Sequence, residues 1–215
     1  MKQREASYLV VGLLVVSIAF LSVSFAQEKG TTDASREQFI KDFKRSGLNT
    51  TPGDAMLLRI LIESKKSQRG VEVGSATGYG AINMGVGFAR TGGKLFTIDI
   101  DPKMVQACQE NVKKAGLEKT VTCVEGDALK VLPKLEGEFD FVFLDAVKED
   151  YFKYFKLLEA KLKPGTVVVA DNAIQSARAM KDFLDFMKTS PDWEMVIVRA
   201  SEEKRDGMAV CYKIR

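Results

Sequence analysis

From Gly70 onward the chain repeats one pattern: a short apolar run ending in a polar or glycine-rich residue, then a longer amphipathic stretch. Short apolar strands separated by helical crossovers are the signature of βαβ units, which build a parallel sheet covered by helices on both faces. The runs predict strands at Gly70–Gly74, Lys94–Ile100, Thr120–Val124, Asp140–Leu144 and Thr166–Ala170, and helices near Tyr79–Ala89, Pro102–Ala115, Tyr151–Leu162 and Ser176–Met187. Lys163-Pro164-Gly165 reads as the turn into the fifth strand. Two more strands, Trp193–Val198 and Met208–Ile214, joined by the polar loop Ser201–Gly207, close the sheet with a hairpin. The expected fold is α/β, a doubly wound, mostly parallel seven-stranded sheet. Ahead of it lie two helices. One is marked by Phe39, Ile40 and Phe43 between Asp33 and Ser46, the other starts near Pro52 with Met56, Leu57, Ile60 and Leu61 on one side.

The N-terminus follows a different grammar. Lys2 and Arg4 precede an apolar run, Tyr8 to Phe25, that ends in Ser24-Phe25-Ala26 before the polar Gln27. Small residues at the −3 and −1 positions fit a signal peptide cleaved after Ala26, and the run is also just long enough for an uncleaved anchor. Residues 1–26 are therefore set apart as an export or anchor segment, with residues 8–25 offering a route to membrane association. The domain is 27–215, with N-terminal helices in 27–68 and the sheet core in 69–215. The expected location is exported or membrane-associated.

Composition narrows the chemistry. The 215 residues carry a net charge of +3 with basic and acidic residues interspersed, so nothing calls for a nucleic-acid partner. There is no histidine, which removes the common imidazole base and histidine-bound zinc. Cys108, Cys123 and Cys211 are widely spaced in apolar contexts and read as buried small hydrophobes, not as a disulfide framework. Carboxylates, lysine, tyrosine or a bound cofactor are left to do the work.

In an open parallel sheet, ligands bind beyond the carboxyl ends of the strands. Those ends read Glu72-Val73-Gly74-Ser75-Ala76-Thr77-Gly78-Tyr79-Gly80, then Asp99, Gly126-Asp127-Ala128, Asp145 and Asp171-Asn172. Polar residues follow any strand because turns are polar, but acids at four successive ends exceed that expectation. The glycine loop suits close approach of backbone to a ligand and leads into a helix N-terminus that favours a carboxylate. It is not the dinucleotide fingerprint, because Ala76 stands where a glycine is needed. Asp99 is placed for a ribose, although Asp99 and Asp101 also serve simply to end the strand and cap the next helix. Asp145, Asp171 and Asn172 are oxygen donors suited to a hard cation if the fourth and fifth strands are neighbours. Lys148 follows Asp145 by three residues. It either returns over the site or belongs to the exposed cluster Lys148-Glu149-Asp150.

These motifs, with Phe96-Thr97-Ile98-Asp99, Phe139 through Lys148 and Lys163-Pro164-Gly165-Thr166 through Ala170-Asp171-Asn172, resemble the cation-dependent O-methyltransferases, the family of catechol and caffeoyl-CoA O-methyltransferases. The resemblance runs from about Asn49 to the C-terminus. It implies a Rossmann-like, class I S-adenosylmethionine-dependent methyltransferase fold. It further implies a cofactor site formed by Thr51, Glu72, Gly74, Ser75, Tyr79, Gly80, Asp99, Ile100, Asp127, Ala128 and Asp145, with Glu72 and Gly74 near the methionine part, Asp99 on the ribose and Asp127-Ala128 beside adenine. Asp145, Asp171 and Asn172 hold the metal, Mg²⁺ first and Ca²⁺ or Mn²⁺ as alternatives, and Lys148 takes the catalytic lysine's place. Gly80 stands where many relatives carry a serine, and Ser201–Asp206 matches no familiar substrate loop.

The activity so implied is methyl transfer to a hydroxyl of a phenolic or catechol-like small molecule, with the homodimer question left open. Two acceptor oxygens on the cation make a phenol near pKa ~10 easier to ionise. Lys148 takes the proton, and a neighbouring dication favours its neutral form by like-charge repulsion. Two other readings stand beside it: an exported or tethered S-adenosylmethionine-binding protein without catalysis, and a nucleotide-dependent oxidoreductase.

Overall fold

The computed structural model describes residues 31–215, so the export or anchor reading of residues 1–26 lies outside the described residues. Two helices, α1 (Asp33–Lys41) and α2 (Pro52–Lys65), precede β1 (Arg69–Val73). There follow α3 (Tyr79–Thr91), β2 (Lys94–Asp99), α4 (Pro102–Lys114), β3 (Val121–Glu125), α5 (Ala128–Val131) and β4 (Phe139–Leu144). The chain ends with α6 (Tyr151–Leu158), β5 (Leu162–Ala170), α7 (Lys181–Thr189), β6 (Trp193–Val198) and β7 (Met208–Lys213). Among the described residues no helix is long and apolar enough to cross a membrane.

All seven strands join one sheet in the order β3-β2-β1-β4-β5-β7-β6, with β1 to β5 parallel and the β6–β7 hairpin antiparallel to its neighbours. This is the doubly wound, class I methyltransferase-type architecture. The order reverses between β1 and β4, which sets the crevice for a ligand there. Alternation along β4 divides the core. Phe141 and Phe143 pack with Leu58, Ile62, Ile82 and Phe88 on the α2–α3–α4 side, while Phe139, Val142 and Leu144 join Tyr151, Phe155, Leu158 and Phe183 on the α6–α7 side.

Local differences from the sequence reading have local causes. Lys163-Pro164-Gly165 lies inside β5, which begins at Leu162. The ladder with β4 shifts register between Phe139 and Phe141 and Gly165 takes φ +88°, so this segment is an irregular strand start and not a separate turn. The first helix stops at Lys41, and Phe43 leaves it to pack against Phe39 and Tyr79. Residues 171–180 form consecutive turns, delaying α7 to Lys181. The short helix α5 carries no periodicity signal at its length. It is started by Asp127, whose Oδ1 accepts the Leu129 N–H at 2.9 Å.

Candidate active site

A cavity of about 880 Å³ opens at the carboxyl ends of the parallel strands, a size suited to a cofactor with a small acceptor. Of the residues singled out in the sequence, Thr51, Gly74, Asp99, Ile100, Asp127, Ala128, Asp145, Lys148, Asp171 and Asn172 line it. Glu72, Ser75, Tyr79 and Gly80 lie behind that wall. Leu48, Ile100 and Val147 are exposed apolar side chains among the lining residues.

One half of the cavity is built around the glycine loop. Gly74 takes φ +98°, and a Cβ there would sit 2.0 Å from the Asp145 carbonyl oxygen, so only glycine lets β1 pass this close to the end of β4. Asp99 Oδ2 accepts the N–H groups of Ser75 at 3.0 Å and Ala76 at 2.9 Å, and its Oδ1 accepts the Asp101 N–H at 3.0 Å. Asp99 thus shapes the loop as well as facing the cavity. Both structural uses of the strand-end acids occur together here, since Asp101 caps α4 through the Lys103 N–H. A side chain at position 80 would require its neighbours to shift. A Cβ would lie 2.8 Å from Glu72 Oε1 and 2.9 Å from Thr50 Oγ1, so the glycine lets these two side chains come close to the helix start. Tyr79 is buried against Phe43, with the Arg45 guanidinium 5.5 Å from its ring centroid.

Glu72 is buried behind the loop, where it accepts the Thr97 hydroxyl. Burial pushes its carboxyl well above the usual range. The Thr97 hydrogen bond opposes this, and Asp145, Cys123 and Asp99 add to the rise. The folded protein therefore keeps a proton that the unfolded chain releases, so ionising Glu72 costs stability as pH climbs above 4.5 toward the folded value. Glu72→Gln, close in shape and uncharged, is expected to melt several degrees above the wild type near pH ~8 without cofactor, and to lose that advantage near pH ~4.5. Thermal scans across pH check this. A pH-independent difference would assign the effect to packing.

The other half gathers the ends of β4 and β5, which are neighbours in the sheet. Lys148 does turn back over the site: its Nζ donates to Asp145 Oδ1 at 2.9 Å and to Tyr151 Oη at 2.7 Å. Burial raises the Asp145 carboxyl to about 6, opposed by Lys148 and reinforced by Asp171. Asn172 takes φ +61°, a left-handed conformation that asparagine tolerates, and its Nδ2 donates to Asp206 Oδ2 at 3.0 Å. Its amide oxygen remains as the acceptor. Burial works against charge on Asp206, but Asn172 Nδ2 and the N–H groups of Gln175, Gly207 and Ile174 outweigh it and hold the carboxyl below the usual range.

Three participants had not been singled out in the sequence. Asp54, fully buried near the start of α2, accepts the Thr51 hydroxyl at 2.9 Å on Oδ2, while its Oδ1 has no protein partner. Lys204, from the β6–β7 loop, places its Nζ 2.8 Å from Asp54 Oδ2 and 2.7 and 2.8 Å from the two Asp171 oxygens. Asp206 orients Asn172, as described. Asp54 was not marked by any motif, and Lys204 and Asp206 fell within the polar loop Ser201–Gly207.

The donor chemistry fits the groups expected here. For a cation, Asp145 and Asp171 offer carboxylates and Asn172 an amide oxygen, all hard donors. Among the described residues no group of three or more Cys, Asp and Glu is placed to hold a metal, so the amide is needed. Lys204 must withdraw from Asp171 for those oxygens to accept another positive charge. For an adenosine-type ligand, Asn49 lines the cavity and its buried Nδ2 has no protein partner, while no side chain caps the first turn of α3.

The sequence model of a family described as O-methyltransferase matches residues 24–195. The chain belongs to the O-methyltransferase family. This O-methyltransferase family member is 32% identical over 139 residues to a catechol O-methyltransferase of Niastella koreensis, an alignment covering 63% of the chain and 62% of that protein. It is 28% identical over 177 residues to a probable caffeoyl-CoA O-methyltransferase of Arabidopsis thaliana, covering 80% of the chain and 74% of the relative. The chain thus spans just under two thirds of the Niastella relative's length and about three quarters of the plant one's. Among solved structures, cofactor-bound Rv0187 from MTB superposes with a TM-score of 0.73 at 25% identity, covering 84% of the chain and 88% of that protein. An O-methyltransferase from Bacillus cereus in complex with SAH shares the fold, with a TM-score of 0.72 at 20% identity over 85% and 91% of the two chains.

Proposed function

We propose that this chain is an S-adenosylmethionine-dependent, divalent-cation-dependent O-methyltransferase that methylates one hydroxyl of a catechol-like acceptor. The observation that carries this reading is the meeting of Lys148, Asp145, Asp171 and Asn172 on adjacent strand ends in the same cavity as the glycine loop. Family membership and the catechol O-methyltransferase relatives support it.

S-adenosylmethionine, when bound, supplies an electrophilic methyl group. A divalent cation held by Asp145, Asp171 and Asn172 supplies Lewis-acid polarisation of acceptor oxygens. The chain's own residues do the rest. The loop after Gly74, with Asp99 and Asp127, holds the nucleoside end. Lys148 removes the acceptor proton at Nζ, and Tyr151 and Asp145 fix that amine on its stem. The apolar side chains of Leu48, Ile100 and Val147 flank the cavity and offer apolar surface for an aromatic acceptor to cover. Holding donor and acceptor in contact accounts for much of the rate. Residues 1–26 are assigned to export or anchoring of the domain.

The test is mass spectrometry of products from a catechol panel given S-adenosylmethionine, with Mg²⁺ or with excess chelator. Singly methylated products that depend on the cation are expected. A second reading is favoured by one observation: the Lys204 ammonium already bridges Asp171 and Asp54, and on that reading it supplies the positive charge itself. Undiminished turnover in chelator would select the second reading, and methylation of no catechol at all would remove both.

A further inference from the structure

The two thiols nearest the glycine loop play no part in the reading above. Cys108, on the inner side of α4, is fully buried, and its Sγ lies 3.4 Å from Sγ of Cys123 on β3, which is partly open to solvent. Cys211 is buried in the other core layer, across the sheet from both.

We propose that Cys108 and Cys123 are a redox site, a dithiol that closes to an intramolecular disulfide and so staples α4 to β3. Closing it shortens the 3.4 Å contact to the ~2.05 Å of a sulfur–sulfur bond, an approach of little over one ångström. The two sulfurs are unequal. Cys123 is partly open to solvent and can meet a disulfide reagent, whereas the contact with Cys123 and burial push the enclosed Cys108 thiol up. Cys123 is therefore the attacking group. Its thiolate displaces one thiolate from a low-molecular-weight disulfide such as glutathione disulfide. Cys108 then gives up its proton and attacks Cys123 Sγ, releasing the second glutathione thiolate. Two thiol protons leave, one disulfide is reduced to two thiols, and one protein disulfide forms.

The site sits where it can be felt. Cys108 Sγ occupies the space beside Gly78, 2.8 Å from where a Cβ would be, and Asn111 of the same helix donates to the Thr77 carbonyl at 3.0 Å. The staple thus fastens the helix that braces the glycine loop.

The test uses the folded full chain exposed to excess glutathione disulfide, quenched in acid and then unfolded for thiol counting and mass measurement. Free thiols are expected to fall from three to one, with loss of two hydrogen masses and a linked Cys108–Cys123 peptide. Dithiothreitol should reverse this, and the oxidised form should melt about 5–10 °C higher, as expected for closing a loop of this length. Cys108→Ser should stop at a glutathione adduct on Cys123. Three free thiols in the wild type after prolonged exposure to excess glutathione disulfide, or a glutathione adduct on Cys123 that never closes, would overturn the proposal. A cross-link through Cys211 would do the same, and the wild-type arm stands even if the variant does not fold.

Discussion

Lys148→Ala is expected to lower methyl transfer by about 10²–10⁴-fold, the range for a missing general base, while cofactor affinity changes little. The expectation follows from where the amine is held. Its stem starts one turn beyond β4, and Nζ is fixed between Asp145 Oδ1 and the buried Tyr151 hydroxyl at the cavity wall. No histidine competes for the role. Lys148→Arg keeps the charge but not the function, because guanidinium holds its proton at any working pH and its planar fork does not reproduce the ammonium's contacts. Single-turnover rates alongside calorimetric cofactor titration decide it. An active Lys148→Arg enzyme would reduce this lysine to a positioning role.

Asp171→Ala should separate binding from chemistry. It removes a hard oxygen donor from the proposed cation set and two of the three oxygens that hold Lys204, the third being Asp54 Oδ2, yet leaves Gly74, Asp99 and Asp127 untouched. Loss of turnover by at least ~10²-fold, loss of Mg²⁺ response, and S-adenosylmethionine affinity retained within a few-fold are expected. Lys204→Met sharpens the result. If a cation and Lys204 compete for Asp171, this variant binds Mn²⁺ more tightly than wild type, read by the spin resonance of free Mn²⁺. If Lys204 itself supplies the charge, the variant loses turnover and gains no Mn²⁺ affinity. Chemistry in Asp171→Ala at the wild-type rate would end the assignment of that carboxylate.

The strand ends were legible because each is marked by a change of period followed by an acid or glycine, and β1 to β5 fall within a residue or so of their expected starts and ends apart from the irregular opening of β5. The switch between β1 and β4 is invisible in one dimension, since strand order is set by packing of crossovers and not by any local residue. Lys148 illustrates the same limit: sequence left it between a solvated charge cluster and the site, and the turn Lys148–Asp150 decides for the site. Asp54 and Lys204 meet across 150 positions, so neither carried a signal that the other was there. Gly80 could be recognised as a departure from the resemblance, but the close approach of Glu72 and Thr50 to it is set by tertiary packing that no local pattern carries.

The hairpin at the end of the sheet has a consequence for how such a chain changes over time. Its connection reaches the site from outside the βα crossovers, as the loop before α2 also does, and it delivers both Lys204 and Asp206 to the β5 end. It is pinned to the rest by the Arg45–Glu203 pair at 2.8 Å and by Lys204 itself. Exchange of a few residues in this stretch therefore alters the charge and the donors at the β5 end of the cavity, while Gly74, Asp99 and Asp127 at the ends of β1 to β3 are left as they are. The two ends of the cavity are separable in this architecture because they are written in different parts of the chain.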